Sequence, residues 1–432
     1  MVCPQWSKLS LLLSSFFFLI STAFGDFERA PIHYGKARPK NPIQQLRTKL
    51  ETGKTKLTFE DNHGYLKSLL KHLNIPLSSQ VLVYSKTSLQ RYRISPRTPR
   101  AIYFNDDVYV GFCKNGDVLE LSAADTAIGT AFYTLEQKET HVPRFVRHTE
   151  KCLICHGSSM THDYPGHMVR SLYTDRSGQP AYRLGSVRVT HRTPIDQRWG
   201  GWYVTGTSGK QEHRGNIMLR SQFDDAPKDN ATGTNLTDLR EKFFTKNYPT
   251  PHSDLVALMV LDHQVEMHNH ITRANLATRV ALYQQQELDR IFKEKREGLS
   301  KSTRSRIESV CFPLVENLLF AEEAELNEPV SGTSNFAREF AARGPFDARG
   351  RSLRHFDLKK RLFRYPCSYL IYSDAFQQLP AEAKSCIYDR LWDVLTGRCH
   401  SDKFDHLSET DRLAIREILT ATVKDLPEYW RQ

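Results

Sequence analysis

The chain has 432 residues with a formal charge of +11, of which 39% are hydrophobic and 11% aromatic, so it can bury large cores, and it carries no repeat or low-complexity tract. Its Lys and Arg are scattered apart from clusters such as Arg349-Gly350-Arg351 and Lys359-Lys360-Arg361, which argues against a nucleic-acid partner; the charge suits an acidic redox partner or an anionic cell-surface component, or simply a solvated face. At this length the domain-size prior predicts two or three compact units.

In chain order, Lys8 precedes an apolar run from Leu9 to Phe24, and Ala23-Phe24-Gly25 offers small residues where a signal peptidase reads. Residues 1–25 therefore read as a signal peptide, which makes the mature protein exported, periplasmic or extracytoplasmic, with a charge of +10 once Lys8 is removed. Membrane association is expected only if that segment stays attached.

Residues 26–136 read as a proline-punctuated arm, short helices near Pro42 to Leu50 and Gly64 to Leu73, and then strands. Gln80 to Tyr84, Ala101 to Phe104, Val108 to Cys113 and Val118 to Leu121 are β-branched and aromatic, and are separated by Asn105-Asp106 and Asn115-Gly116-Asp117 turns. That pattern predicts an antiparallel meander, which Ala131 to Leu135 would extend.

Residues 137–223 hold the most specific feature, Cys152-Leu153-Ile154-Cys155-His156. In C-x-x-C-H the two thiols are spaced to reach the two vinyl groups of one haem, and the following histidine meets the iron. The sequence thus predicts one covalent haem c, with Cys152 and Cys155 as thioether anchors and His156 as proximal ligand. A zinc site would need a second close cysteine pair, and a thioredoxin-like pair would follow an apolar strand; here the polar run His148-Thr149-Glu150-Lys151 comes first. Short strands are expected from Val169 to Met218, around Trp199-Gly200-Gly201-Trp202-Tyr203, whose rings would either wall a haem or fill core.

Residues 224–252 read as a polar linker, and residues 253–432 as helical, with helices over Ser253 to Arg296, Lys301 to Glu325, Ser334 to Arg343, Ala381 to Thr396 and Ser408 to Val423. The fold class is α+β, with a strand-rich N-terminal half carrying the haem segment and a helical C-terminal half. Cys113, Cys311, Cys367, Cys386 and Cys399 remain beside the haem pair, and in an oxidising compartment one or two disulfides among them are expected. Cys113 ends an apolar run and reads as a small core residue.

The second axial ligand decides the chemistry. Methionine or histidine gives a filled iron suited to electron transfer, whereas an open position gives one that binds peroxide or a gas. His263 and Met267 share an apolar helical stripe with Met259, Val260, Ile271 and Ala274, and are the leading distal candidates, ahead of Met218. His213, His268 and His270 stay open, while Met160, His167 and Met168 stand close after His156 in sequence. Two other functions remain: a peroxidase-like haem oxidoreductase, for which Arg188, Arg192, His191 and His213 could supply acid-base groups, and a haem-based sensor or binding subunit.

The chain resembles a family of large, exported, single-haem bacterial cytochrome c-domain proteins. Besides the haem motif, the likeness rests on Phe27-Glu28-Arg29-Ala30-Pro31-Ile32, Ile94-Ser95-Pro96-Arg97-Thr98-Pro99-Arg100, Tyr103-Phe104-Asn105-Asp106, Arg198 to Gly206, Leu362-Phe363-Arg364-Tyr365-Pro366-Cys367 and Pro427-Glu428-Tyr429-Trp430. The resemblance implies haem binding at Cys152, Cys155 and His156 and a capacity for electron transfer to or from a redox partner; it implies no substrate.

Overall fold

The computed structural model describes residues 26–431; the expected signal segment lies outside them. Helix α1 (Pro42–Glu51) starts where Asn41 accepts the Gln44 N–H and Pro42 supplies a preset φ, and it buries Ile43, Leu46 and Leu50. Helix α2 (Leu66–His72) buries Leu66, Leu69 and Leu70.

Strands β1 (Val81–Val83), β2 (Arg100–Phe104), β3 (Val108–Phe112), β4 (Val118–Asp125) and β5 (Gly129–Glu136) form the expected antiparallel meander, and β6 (Phe145–His148) follows them. It gains two edges: β6 beside β5, and β9 (Trp202–Tyr203) beside β1. Between them in sequence, β7 (Arg170–Ser171) and β8 (Val187–Arg188) pair only with each other. Further on, β10 (Gly206–Thr207) pairs with β11 (Ser331–Gly332). The strands expected between Val169 and Met218 are thus two-residue pieces, and the aromatic cluster there is core: Trp199 Nε1 donates to Asp262 at 3.0 Å and Trp202 Nε1 to the Arg170 carbonyl at 2.8 Å.

Because side chains alternate along a strand, the sheet buries two faces. Tyr103, Val110, Leu121 and Tyr133 pack with α1 and α2 in one core. Val81, Val83, Phe104 and Tyr109 face helix α4 (Leu255–Phe292) in the other. This double burial explains why β1 and β3 read as unbroken apolar runs.

Helix α4 begins at Asp254, whose carboxylate accepts the Ala257 N–H, and it is buried on all sides from Leu255 to Thr272. Asp262, His263, Gln264, Glu266, His268, Asn269 and His270 all lie in that stretch, so each needs a partner to offset lost hydration.

Helix α5 (Lys301–Leu318) packs on α4, and α8 (Ala381–Leu395) on α5. Helices α6 (Phe336–Ala341), α7 (Asp374–Gln377) and α9 (Glu409–Thr422), the last begun by a Ser408/Asp411 capping box, complete the helical half. The predicted helix to Glu325 stops early because Phe320 and Glu322 take left-handed backbone conformations. Through α4 the two halves share one core, which is α+β in class.

The expected disulfides are absent among the described residues: Cys113, Cys311, Cys367, Cys386 and Cys399 are all free thiols. Cys113, Cys311 and Cys367 were drawn into the core as small apolar residues, and only Cys311 and Cys386 come within hydrogen-bond reach of each other. No helix among the described residues is long and apolar enough to cross a membrane.

Candidate functional site

The C-x-x-C-H residues fold as a single helical turn, α3 (Leu153–His156), with the His156 N–H bonded to the Cys152 carbonyl at 2.9 Å. Positions i, i+3 and i+4 share a helix face, so Cys152, Cys155 and His156 point the same way. Cys152 is half-buried, Cys155 exposed, and neither is paired. Burial, helped by the Glu120 carboxylate, pushes the Cys152 thiol up to about 11. A redox-active C-x-x-C needs the opposite, a depressed thiol.

His156 Nδ1 lies 2.9 Å from the Gly166 carbonyl oxygen. Burial lowers the ring's pKa, so the imidazole is neutral; its proton sits on Nδ1, facing the carbonyl, and the lone pair is left on Nε2. Among the described residues Nε2 has no hydrogen-bond partner, and the ring rests against Phe132 with centroids 4.9 Å apart. This is the tautomer that binds a metal through Nε2 with a backbone carbonyl behind it.

The loop after His156 is closed on itself and clamped from both sides. The Gly166 N–H donates to the His156 carbonyl at 2.8 Å. Asn269, on α4, accepts the His167 N–H at 2.9 Å and donates to the His167 carbonyl at 2.8 Å. His167 Nε2 meets Ser122 Oγ of β4 at 2.9 Å. A Cβ on residue 166 would fall 2.3 Å from Asn269 Oδ1, so the approach of α4 requires Gly166. On the sheet nearby, the Arg100–Glu120 ion pair at 2.8 Å is close enough to act on the charge of His156, and the Arg100 guanidinium lies over Gly111, where a Cβ would meet it at 2.4 Å.

The distal candidates scatter. Met267 is wholly buried in the core shared by α4 and the helical half. His263 uses both nitrogens, Nε2 with Ser368 Oγ at 2.8 Å and Nδ1 with His191 Nδ1 at 3.3 Å, and stacks on Phe320. Among the described residues no hydrogen bond or ring contact joins either side chain to His156. Met218 packs on the N-terminal core, His213 Nδ1 accepts the Gly215 N–H, and the Met160 carbonyl accepts from Arg188. His268 Nδ1 bonds the Tyr109 hydroxyl at 2.8 Å, and His270 meets Glu266. His191 and Arg192 both turn to the Ala321 carbonyl, while Arg188 pairs with Glu266.

Sequence reasoning gave little weight to His167, eleven residues past His156. The structure places it between Phe132 and His268, at ring distances of 6.0 and 6.1 Å, with Nδ1 buried and unpartnered. Its partners Ser122 and Asn269 carry no spacing signal. Comparison of the chain with family models, curated proteins and solved structures gave no match.

Proposed function

We propose that the chain is an exported c-type cytochrome, akin to the single-haem family it resembles, holding one haem through Cys152 and Cys155 with His156 as iron ligand and exchanging electrons with a protein partner. The observation that carries this reading is the His156 tautomer: Nδ1–H held by the Gly166 carbonyl and Nε2 free, beside two unpaired thiols on one helical face. The donor set fits the group. Haem so held supplies a one-electron couple whose potential the protein tunes.

The chain's own residues contribute orientation and charge. Gly166 makes the imidazole more basic, which favours the oxidised metal, and Asn269 and Ser122 keep the loop from shifting as charge changes. Cys155 and Ile154, the latter 79% exposed, put one edge of the motif at the surface, where a partner can approach. The excess of 60 Lys and Arg over 49 Asp and Glu favours an acidic partner.

The test is absorption spectroscopy on protein matured in a host competent for cytochrome c assembly. A pyridine haemochrome of the thioether type, one per chain and lost in the Cys152→Ala/Cys155→Ala double variant, is the expected result. A colourless native chain would overturn the proposal.

A further inference from the structure

Three metal-ligating side chains outside the haem motif converge on one point. One ligand atom each of His162, Glu266 and His270 lies within 4.8 Å of the others. Glu266 Oε1 is 3.0 Å from His162 Nε2 and 3.3 Å from His270 Nε2. The three side chains are 20%, 7% and 6% exposed, so water competes little for them.

Glu266 and His270 stand one turn apart on α4, and His162 is brought to them by the loop that follows the haem motif. That loop holds His162 and Asp163 at φ 57° and 63°, a left-handed pair that costs about 1–2 kcal/mol per residue and persists only where the surroundings impose it. Oε1 also faces Arg188 Nη2 at 3.2 Å. Three nitrogens thus crowd one carboxylate oxygen that has two lone pairs, while among the described residues Oε2 has no hydrogen-bond partner.

We propose that His162, Glu266 and His270 bind one first-row divalent transition metal, separate from the haem motif. Ligands about 2.0–2.1 Å from such an ion stand about 2.9–3.4 Å from one another at tetrahedral or octahedral edges, which brackets both distances to Oε1. Two imidazoles and a carboxylate suit zinc or ferrous iron, and three protein ligands leave a position for water or a small anion. Arg188, whose other Nη donates to the Met160 carbonyl, stands beside Glu266 with a charge that favours an anion. The site shares no ligand with the haem motif and does not rest on the haem reading. It would pin the loop that begins at His156 to α4.

The experiment uses full-length protein matured in the cytochrome-competent host, stripped with chelator and equilibrated with Zn²⁺ or, without oxygen, with Fe²⁺. Elemental analysis counts the metal, calorimetry gives its affinity, and haem iron is subtracted through the pyridine haemochrome. One ion per chain beyond haem iron is expected, with affinity reduced at least about tenfold in Glu266→Gln and in His162→Ala. If Glu266→Gln does not fold, His162→Ala, in a loop at the surface of the cluster, carries the comparison. Binding of neither ion at one per chain, or native affinity in the variants, overturns the proposal. Zinc bound at one per chain by a colourless protein, with affinity reduced in Glu266→Gln and His162→Ala, would sink the haem reading and leave this site standing.

Discussion

Replacing Asn269 with alanine should loosen the His156 loop at a cost worked from two contacts. The buried carboxamide makes one bond to the His167 N–H at 2.9 Å and one to the His167 carbonyl at 2.8 Å. Each buried backbone group left dry costs about 1–3 kcal/mol, so the pair gives about 2–6 kcal/mol. Asn269→Asp keeps the acceptor but sets a buried carboxylate oxygen against the His167 carbonyl, so near neutral pH it should cost at least as much as the alanine variant. Denaturant unfolding at equal m-values measures the loss, and hydrogen exchange at residues 156–167 locates it. A loss below about 1 kcal/mol, or Asn269→Asp as stable as the native chain, would refute the clamp.

Asp262 tests the electrostatics of α4. Burial outweighs the Arg198 guanidinium 3.6 Å away and pushes the carboxyl up to about 7, while Arg198 also donates to the Thr193 and His191 carbonyls. A folded pKa raised above the unfolded value of about 3.9 contributes stability that is complete at low pH and lost as pH rises through about 7. Asp262→Asn lacks that loss, so between pH about 4 and about 7 its stability relative to the native chain should improve by up to about 1.4 kcal/mol per pH unit; a constant difference contradicts the assignment. Gly111→Ala should push the Arg100 guanidinium off Glu120 and cost up to about 1 kcal/mol through the weakened ion pair, read as a lower urea midpoint; an unchanged midpoint means the pair re-forms around the methyl group. Mild oxidation should join Cys311 to Cys386 and leave Cys367 a thiol, as peptide mapping without reductant would show; a bridge involving Cys367 would contradict the burial described.

Elements set by local pattern were legible in the chain. The apolar spacing of Leu66, Leu69 and Leu70, the β-branched runs of β1 to β4 and the long stripe of α4 all form where periodicity places them. Strand β6 was not, because Phe145–His148 is half charged or polar, and it exists through pairing with β5; β9 lies where short strands were expected, but its place beside β1, about 120 residues earlier, has no local signal. The proposed haem motif is spelled in five adjacent residues. The atoms that orient it are not, since Ser122 and Asn269 reach His167 across sequence gaps of 45 and 102. The same holds for His162: the one-turn spacing of Glu266 and His270 is visible in α4, but the stripe through His263 and Met267 is the stronger pattern, and nothing local joins His162 to it.

The most direct test of the central claim is mass spectrometry of the peptide spanning Cys152 to His156, taken from protein matured in a cytochrome-competent host. The account predicts a single species heavier by one haem, resistant to thiol alkylation at both Cys152 and Cys155. A peptide of unmodified mass with both thiols open to alkylation would contradict it.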